Sequence, residues 1–258
     1  MLPRFLTALV GAPLFLLLAW LGGLYLVMAI VVLILLVQNE LVRLLSELQP
    51  HRGLVFAGGL VLAGGTFFGP EQFPGVVLAG LLLLYLAAMV VLFPRFTPAA
   101  LAGTVLATFY PGLLVYLYLL RMLPDGWTWF LVVLLATWAF DTFGYLIGKV
   151  AGRTRLTPVL SPKKTVEGFA GGVLASLGVV GLAGLILLDT WTWPLFVLGL
   201  LVAVAAQTGD LLASAIKRFA GVKDAGRLLP GHGGVLDRFD SLLFTAPIAY
   251  YYIIYTGL

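Results

Sequence analysis

The chain contains no cysteine among its 258 residues. Disulfides, thiolate metal sites and cysteine nucleophiles are therefore excluded, and nothing follows about compartment. Charge is nearly as scarce. Asp, Glu, Lys and Arg make up 10% of the residues, against about 25% in soluble domains. Histidine occurs only as His51 and His232. No polar stretch is long enough to form a separate soluble domain, and no internal repeat is visible. What fills the chain is hydrocarbon: 62% of residues are hydrophobic and the mean hydropathy is +1.10. This composition describes an all-α, polytopic integral membrane protein, read as a single membrane domain over 1–258.

A membrane-spanning helix needs about 20 apolar residues. The apolar run over 5–37 is too long for one span and breaks at Gly22-Gly23. Spans are expected near 4–20, 22–44, 54–69, 74–93, 97–120, 127–149, 167–188, 193–216 and 241–257, about nine in all. No A-x-A cleavage site follows the first run, which is kept as a span rather than a signal peptide. With nine spans, the basic residues divide 14 to 1 between the two sides of the membrane, Arg121 standing alone. Loops rich in Lys and Arg face the cytoplasm. The N-terminus is therefore expected in the cytoplasm and the C-terminus outside. The spans up to 121 carry few polar groups and read as scaffold. Those over 122–258 carry the polar residues and read as the working part.

The stretch 214–240 departs most sharply from this apolar background. Lys217, Arg218, Lys223, Arg227 and Arg238 stand among Asp224, Asp237 and Asp240, five glycines and His232. Ionisable groups beside or within membrane spans are costly and usually functional. Bases in such numbers can donate to phosphate oxygens, and carboxylates beside them can hold a divalent cation. Gly231, Gly233 and Gly234 permit tight turns and close approach to a ligand. Just upstream, Gln207, Asp210, Ser214 and Lys217 fall within an arc of about 80° on one helix face. Asp210 and Asp237, brought from neighbouring helices, would make a good Mg²⁺ site. Mg²⁺ takes one or two carboxylates and completes its shell with water and substrate phosphates. Structural alternatives exist for each: an ion pair for Asp210, helix capping for Asp237 and Asp240, a turn position for His232.

A second cluster lies at the sixth and seventh spans. Thr137, Asp141, Tyr145 and Gly148 share a helix face, and Lys149, Arg153 and Arg155 follow. Then comes Ser161-Pro162-Lys163-Lys164-Thr165-Val166-Glu167-Gly168. Two lysines flanked by hydroxyls just before a helix suit phosphate binding near its positive end. Thr165 equally suits a helix cap, and Glu167 a dipole-complementing or salt-bridging role. Gly168, Gly172 and Ser176, four apart, read as close helix packing.

Over roughly 137–240 these motifs resemble the phosphatidate cytidylyltransferase (CDP-diacylglycerol synthase) family. The resemblance is carried by Ser214, Ile216, Lys217, Arg218, Lys223, Asp224, Gly226, Leu229, Pro230, His232, Gly233, Gly234, Val235, Asp237, Arg238 and Asp240. The Asp141, Lys163-Lys164-Thr165 and Gln207-x-Gly209-Asp210 segments support it. It implies a homodimeric enzyme of nine-span subunits in the cell (inner) membrane, with its active site facing the cytoplasm. The implied reaction joins CTP and phosphatidic acid into CDP-diacylglycerol and pyrophosphate for phospholipid biosynthesis. The implied cofactor is Mg²⁺, in a two-cation centre that can pair it with K⁺, and its ligands map onto Asp210 and Asp237. On that reading Ser214, Lys217, Arg218, Lys223, Arg238 and Asp240 complete the catalytic set. Asp141, Lys163, Lys164, Thr165, Glu167, Asp224, His232, Gly233 and Gly234 contact substrate, and no nucleic-acid partner is expected. Two other readings share some of these features: the same chemistry on another lipid phosphate, and a transporter whose polar pathway uses Asp141 and Asp210.

Overall fold

The computed structural model describes residues 2–69, 73–188, 192–228 and 233–258, with 2–8, 73 and 74 described as backbone. Nearly all of it is helix. The elements are α1 (Leu2–Leu21), α2 (Gly23–Leu44), α3 (Arg52–Phe68), α4 (Phe73–Leu92), α5 (Pro98–Gly112), α6 (Val115–Met122) and α7 (Gly126–Ala151). After these come β1 (Arg155–Thr157), β2 (Ser161–Thr165), α8 (Val166–Ile186), α9 (Trp193–Phe219), α10 (Leu236–Phe239) and α11 (Leu242–Thr256). Helix occupies each segment expected to span. Among the described residues six helical segments are long and apolar enough to cross a membrane: Gly23–Leu44, Gly75–Leu92, Pro98–Met122, Gly126–Ala151, Val166–Ile186 and Trp193–Phe219. α3 and α11, at 17 and 15 residues, are shorter.

Local chemistry sets the boundaries. Gly22 and Gly23 take φ of 64° and 47°, which only glycine adopts cheaply, and α1 ends there. His51 Nδ1 accepts from the Leu54 amide at 3.2 Å, and Thr97 Oγ1 from the Ala100 amide at 3.2 Å, capping α3 and α5. Pro98 follows Thr97 at the first helical position, where its missing N–H costs nothing.

The chain folds as two compact units. One comprises Met1–Val115 and Ile216–Arg238, the other Tyr116–Ala215 and Phe239–Leu258. In the first, apolar faces of α2 to α5 are tied together by buried polar side chains. Gln38 Nε2 donates to the Val55 carbonyl at 2.9 Å, and Gly59 leaves the space that Gln38 fills. Tyr85 Oη donates to the Leu54 carbonyl at 2.8 Å and lies 3.2 Å from Thr108 Oγ1. The His51 amide donates to Thr104 Oγ1 at 2.9 Å. Interhelical bonds of this kind contribute about 0.6 kcal/mol each in lipid. Their main effect is to fix which helix faces which.

In the second unit α7 and α8 pack along a seam of glycines. A Cβ at Gly168 would lie 2.6 Å from the Gly144 carbonyl oxygen, and one at Gly172 would lie 2.7 Å from the Phe140 ring. One turn on, buried Ser176 donates to the Gly199 carbonyl of α9 at 2.9 Å. The small-residue spacing thus marks a close-packed interface, as the sequence implies. β1 and β2 form an antiparallel hairpin, Arg155 opposite Thr165 and Thr157 opposite Ser161, that leads straight into α8. Thr137 Oγ1 donates to Thr245 Oγ1 of α11 at 3.1 Å. Large apolar side chains cover much of the exterior, with Val91 79% and Leu174 70% exposed. In water such a surface would drive aggregation; hydrocarbon is its natural solvent. The chain is a multi-pass membrane protein.

Candidate active site

In the first unit Lys217, Ala225, Gly233 and Gly234 surround Asp237. Gly233 takes φ of 83°, and a Cβ there would lie 2.7 Å from Asp237 Oδ2. Glycine is thus required twice, for the turn and for the approach. The turn brings the Gly234 amide to Asp237 Oδ2 at 2.9 Å, and the Ala225 amide reaches the same oxygen at 2.8 Å. The other oxygen, Oδ1, accepts from Lys217 Nζ at 2.6 Å. The Asp237 side chain is 7% exposed and that of Lys217 12%. A carboxylate so enclosed is oriented by backbone as well as by its counter-ion.

Beneath this loop sits a residue that sequence reasoning missed. Glu40, near the end of α2, is 4% exposed. Its Oε1 accepts from the Val235 amide and its Oε2 from the Leu236 amide, both at 2.8 Å. Gly226 and Gly234 close over it, and a Cβ on either would lie 2.7 Å from a Glu40 oxygen. The only available signal was the polar run Gln38-Asn39-Glu40 at the end of an otherwise apolar span.

The remaining bases of the loop face outward. Arg218 is exposed, and its Nη1 donates to the Val222 carbonyl at 3.1 Å, closing the end of α9. Lys223, Asp224, Arg227 and Arg238 are exposed. Asp224 and Arg227 line a cleft of about 360 Å³, together with Arg43, Ser46 and Glu47. His232 lies outside the described residues.

In the second unit Asp210 and Lys164 form an ion pair, their side chains 27% and 23% exposed. Ser214 Oγ approaches Asp210 Oδ1 at 3.4 Å. Gly209 is in contact with the backbone carbonyl of Asp240, a place no side chain could occupy. The Asp240 carboxylate accepts from the Ser241 amide at 2.9 Å, ordering the start of α11. Thr165 is the N-cap of α8, accepting from the Gly168 amide at 3.1 Å, as one of its two expected roles required. Glu167 stands in the first turn of α8, as expected of a dipole-complementing acid, and has a further use. It accepts from the Arg153 amide at 3.0 Å and the Thr154 amide at 3.1 Å, tying the hairpin entry to α8. Lys163 is exposed. Asp141 is exposed on α7, one turn beyond the buried Thr137.

Each unit therefore holds an aspartate paired to a lysine within a setting rich in bases. Among the described residues no group of three or more His, Asp or Glu side chains forms a ready-made cage for a metal. The exposed bases suit binding of polyanions.

Comparison with known proteins agrees with this chemistry. Residues 2–256 match the profile of the Cytidylyltransferase family. The phosphatidate cytidylyltransferase of Staphylococcus saprophyticus is 34% identical over 253 residues, 95% of this chain and 96% of the relative. That of Staphylococcus aureus is 35% identical over 253 residues, with the same coverage. That of Staphylococcus haemolyticus is 34% identical over 254 residues. With the likeness running nearly end to end, the chain belongs to the cytidylyltransferase family of nucleotidyl-transferring enzymes.

Proposed function

We propose that this protein transfers the cytidylyl group of CTP to phosphatidic acid, giving CDP-diacylglycerol and pyrophosphate, for phospholipid biosynthesis. The observation that carries this reading is the enclosed Asp237–Lys217 pair, built from 214–240, in a chain about a third identical, over 95% of its length, to phosphatidate cytidylyltransferases. An oxygen of the phosphatidate phosphate attacks the α-phosphorus of CTP. A P–O bond forms there as the bond from the α-phosphorus to the pyrophosphate oxygen breaks, and pyrophosphate leaves with the electron pair. Such a transfer needs positioning and charge neutralisation rather than a protein nucleophile. Both reactants are anions. Lys163, Lys164, Lys217, Arg218, Lys223 and Arg238 reduce their mutual repulsion and orient them, while Ser214, Asp141, Asp224 and Asp240 complete the polar wall.

Asp210 and Asp237 are the proposed Mg²⁺ ligands. The fit rests on their donor chemistry. Asp237 Oδ1 faces the Lys217 ammonium, its other oxygen being held by two amides, and the Asp210 carboxylate is met by the Lys164 and Ser214 side chains. Each already faces a lysine ammonium, so the position beside it accepts positive charge. Two carboxylates are what Mg²⁺ requires when water and phosphates complete its shell. When bound, it would neutralise charge on the reacting phosphates. K⁺ as a second cation and a homodimeric assembly belong to the same proposal.

The 14-to-1 distribution of basic residues supports nine spans in the cell (inner) membrane, the N-terminus and active site cytoplasmic and the C-terminus outside. The deciding experiment incubates purified, detergent-solubilised protein with CTP, phosphatidic acid and Mg²⁺. CDP-diacylglycerol and pyrophosphate should appear in equal amounts and vanish on chelation with EDTA. No product from folded protein across several lipid phosphates would refute the reaction.

A further inference from the structure

We infer that Glu40 is a positioning residue for the cytidylyl-transfer site: its buried carboxylate holds the segment 234–236 that sets Asp237. The inference rests on the proposed reaction and adds a member from α2, far outside the motif. Each Glu40 oxygen takes one of two consecutive amides, Val235 and Leu236, at 2.8 Å. The next residue is Asp237, and the preceding amide, Gly234, binds Asp237 Oδ2 at 2.9 Å. Three consecutive amides are thus held by two carboxylates. One is an intended ligand and the other its brace.

The fold accommodates the brace at some cost. A carboxylate at a span end is expensive to bury, and this one is 4% exposed. Gly226 and Gly234 are both pressed against its oxygens. Gly226 lies close to both Glu40 and Gly234, and the neighbouring Ala225 amide binds Asp237 Oδ2. Groups that orient metal-binding side chains typically change metal affinity or activity by about 10–100-fold when removed.

The test uses Glu40→Gln and Glu40→Ala in the full-length protein, with Mn²⁺ as a spectroscopic substitute for Mg²⁺. Glutamine keeps one acceptor oxygen but turns an NH₂ toward the second amide, so it should give an intermediate effect. Binding of Mn²⁺ without substrate, read by electron paramagnetic resonance, should weaken about tenfold in Glu40→Ala and less in Glu40→Gln. Hydrogen exchange should rise in the peptide covering 233–238 while distant helices keep their protection. In turnover, kcat should fall about 10–100-fold with KM for phosphatidate changed less than about twofold. If Glu40→Ala does not fold, Gly234→Ala crowds the same oxygens and is read the same way. Unchanged Mn²⁺ affinity and kcat in folded variants would overturn the brace. So would a uniform loss of folded protein with wild-type Mn²⁺ affinity in what remains. Wild-type protein that yields no CDP-diacylglycerol would instead refute the reaction, leaving the Mn²⁺ and exchange readouts to decide the role of Glu40.

Discussion

Two aspartate–lysine pairs, one in each unit, are built differently. Asp237 is bound by two backbone amides and Lys217, with its side chain 7% exposed. Asp210 is bound by Lys164 and, weakly, by Ser214, with its side chain 27% exposed. Backbone donors cannot swing away, so Asp237 has one orientation and presents one oxygen. Side-chain donors can, so the Asp210 carboxylate is held less rigidly. One acid is a fixed reference point and the other an adaptable one.

The sharpest way to break this contrast is to neutralise the fixed acid. Asp237→Asn should lower kcat by about 10³-fold while leaving the circular dichroism spectrum unchanged. Activity near wild type would remove Asp237 from the chemistry. Lengthening each acid comes next. Asp237→Glu should cost about 100-fold in kcat, because a displacement of about 1 Å from an amide-fixed position is enough. Asp210→Glu should cost no more than about tenfold, since its partners can follow. Equal losses in parallel steady-state assays would show that the backbone amides do not matter. Removing the mobile partner should cost less again. Lys164→Ala is expected to reduce kcat/KM for CTP about tenfold, the loss of one charge-assisted contact, with thermal stability preserved because the pair is only partly buried. The smallest effect belongs to Thr165→Ala. It removes the cap of α8 and about 1 kcal/mol of stability, seen as a modest fall in thermal midpoint with kcat within about twofold of wild type. A large kcat loss there would give Thr165 a part in substrate binding as well as in capping.

Much of this was legible in the sequence where the responsible interaction is local. Hydropathy located a helix in each expected span, because burying or lipid-exposing about 20 apolar residues is a property of the segment itself; it did not show the break between α5 and α6 or the short α10. Gly22-Gly23 marked the α1–α2 break, and the Gly168, Gly172, Ser176 spacing marked the glycine seam, because each depends on positions a few residues apart. The Thr165 cap was visible for the same reason. Glu40 was not, since its partners lie 195 and 196 residues away. Nor was the use of Glu167, whose carboxylate could serve a helix end, a base or, as found, two amides across a hairpin. The tie between Tyr85 and the Leu54 carbonyl escaped likewise. Patterns of polarity show that a group needs a partner; only the fold shows which.

The brace on 234–236 has a further consequence in time. During synthesis Glu40 enters the membrane with its helix long before residues 235 and 236 exist. At about 5–20 residues per second, a separation of 195 residues corresponds to roughly 10–40 s between the carboxylate and its amide partners. Throughout that interval α2 carries an acid whose native donor amides have not been made. Closure of residues 235 and 236 onto Glu40 therefore waits until both have been made, and a polypeptide that stops before residue 235 can never complete it.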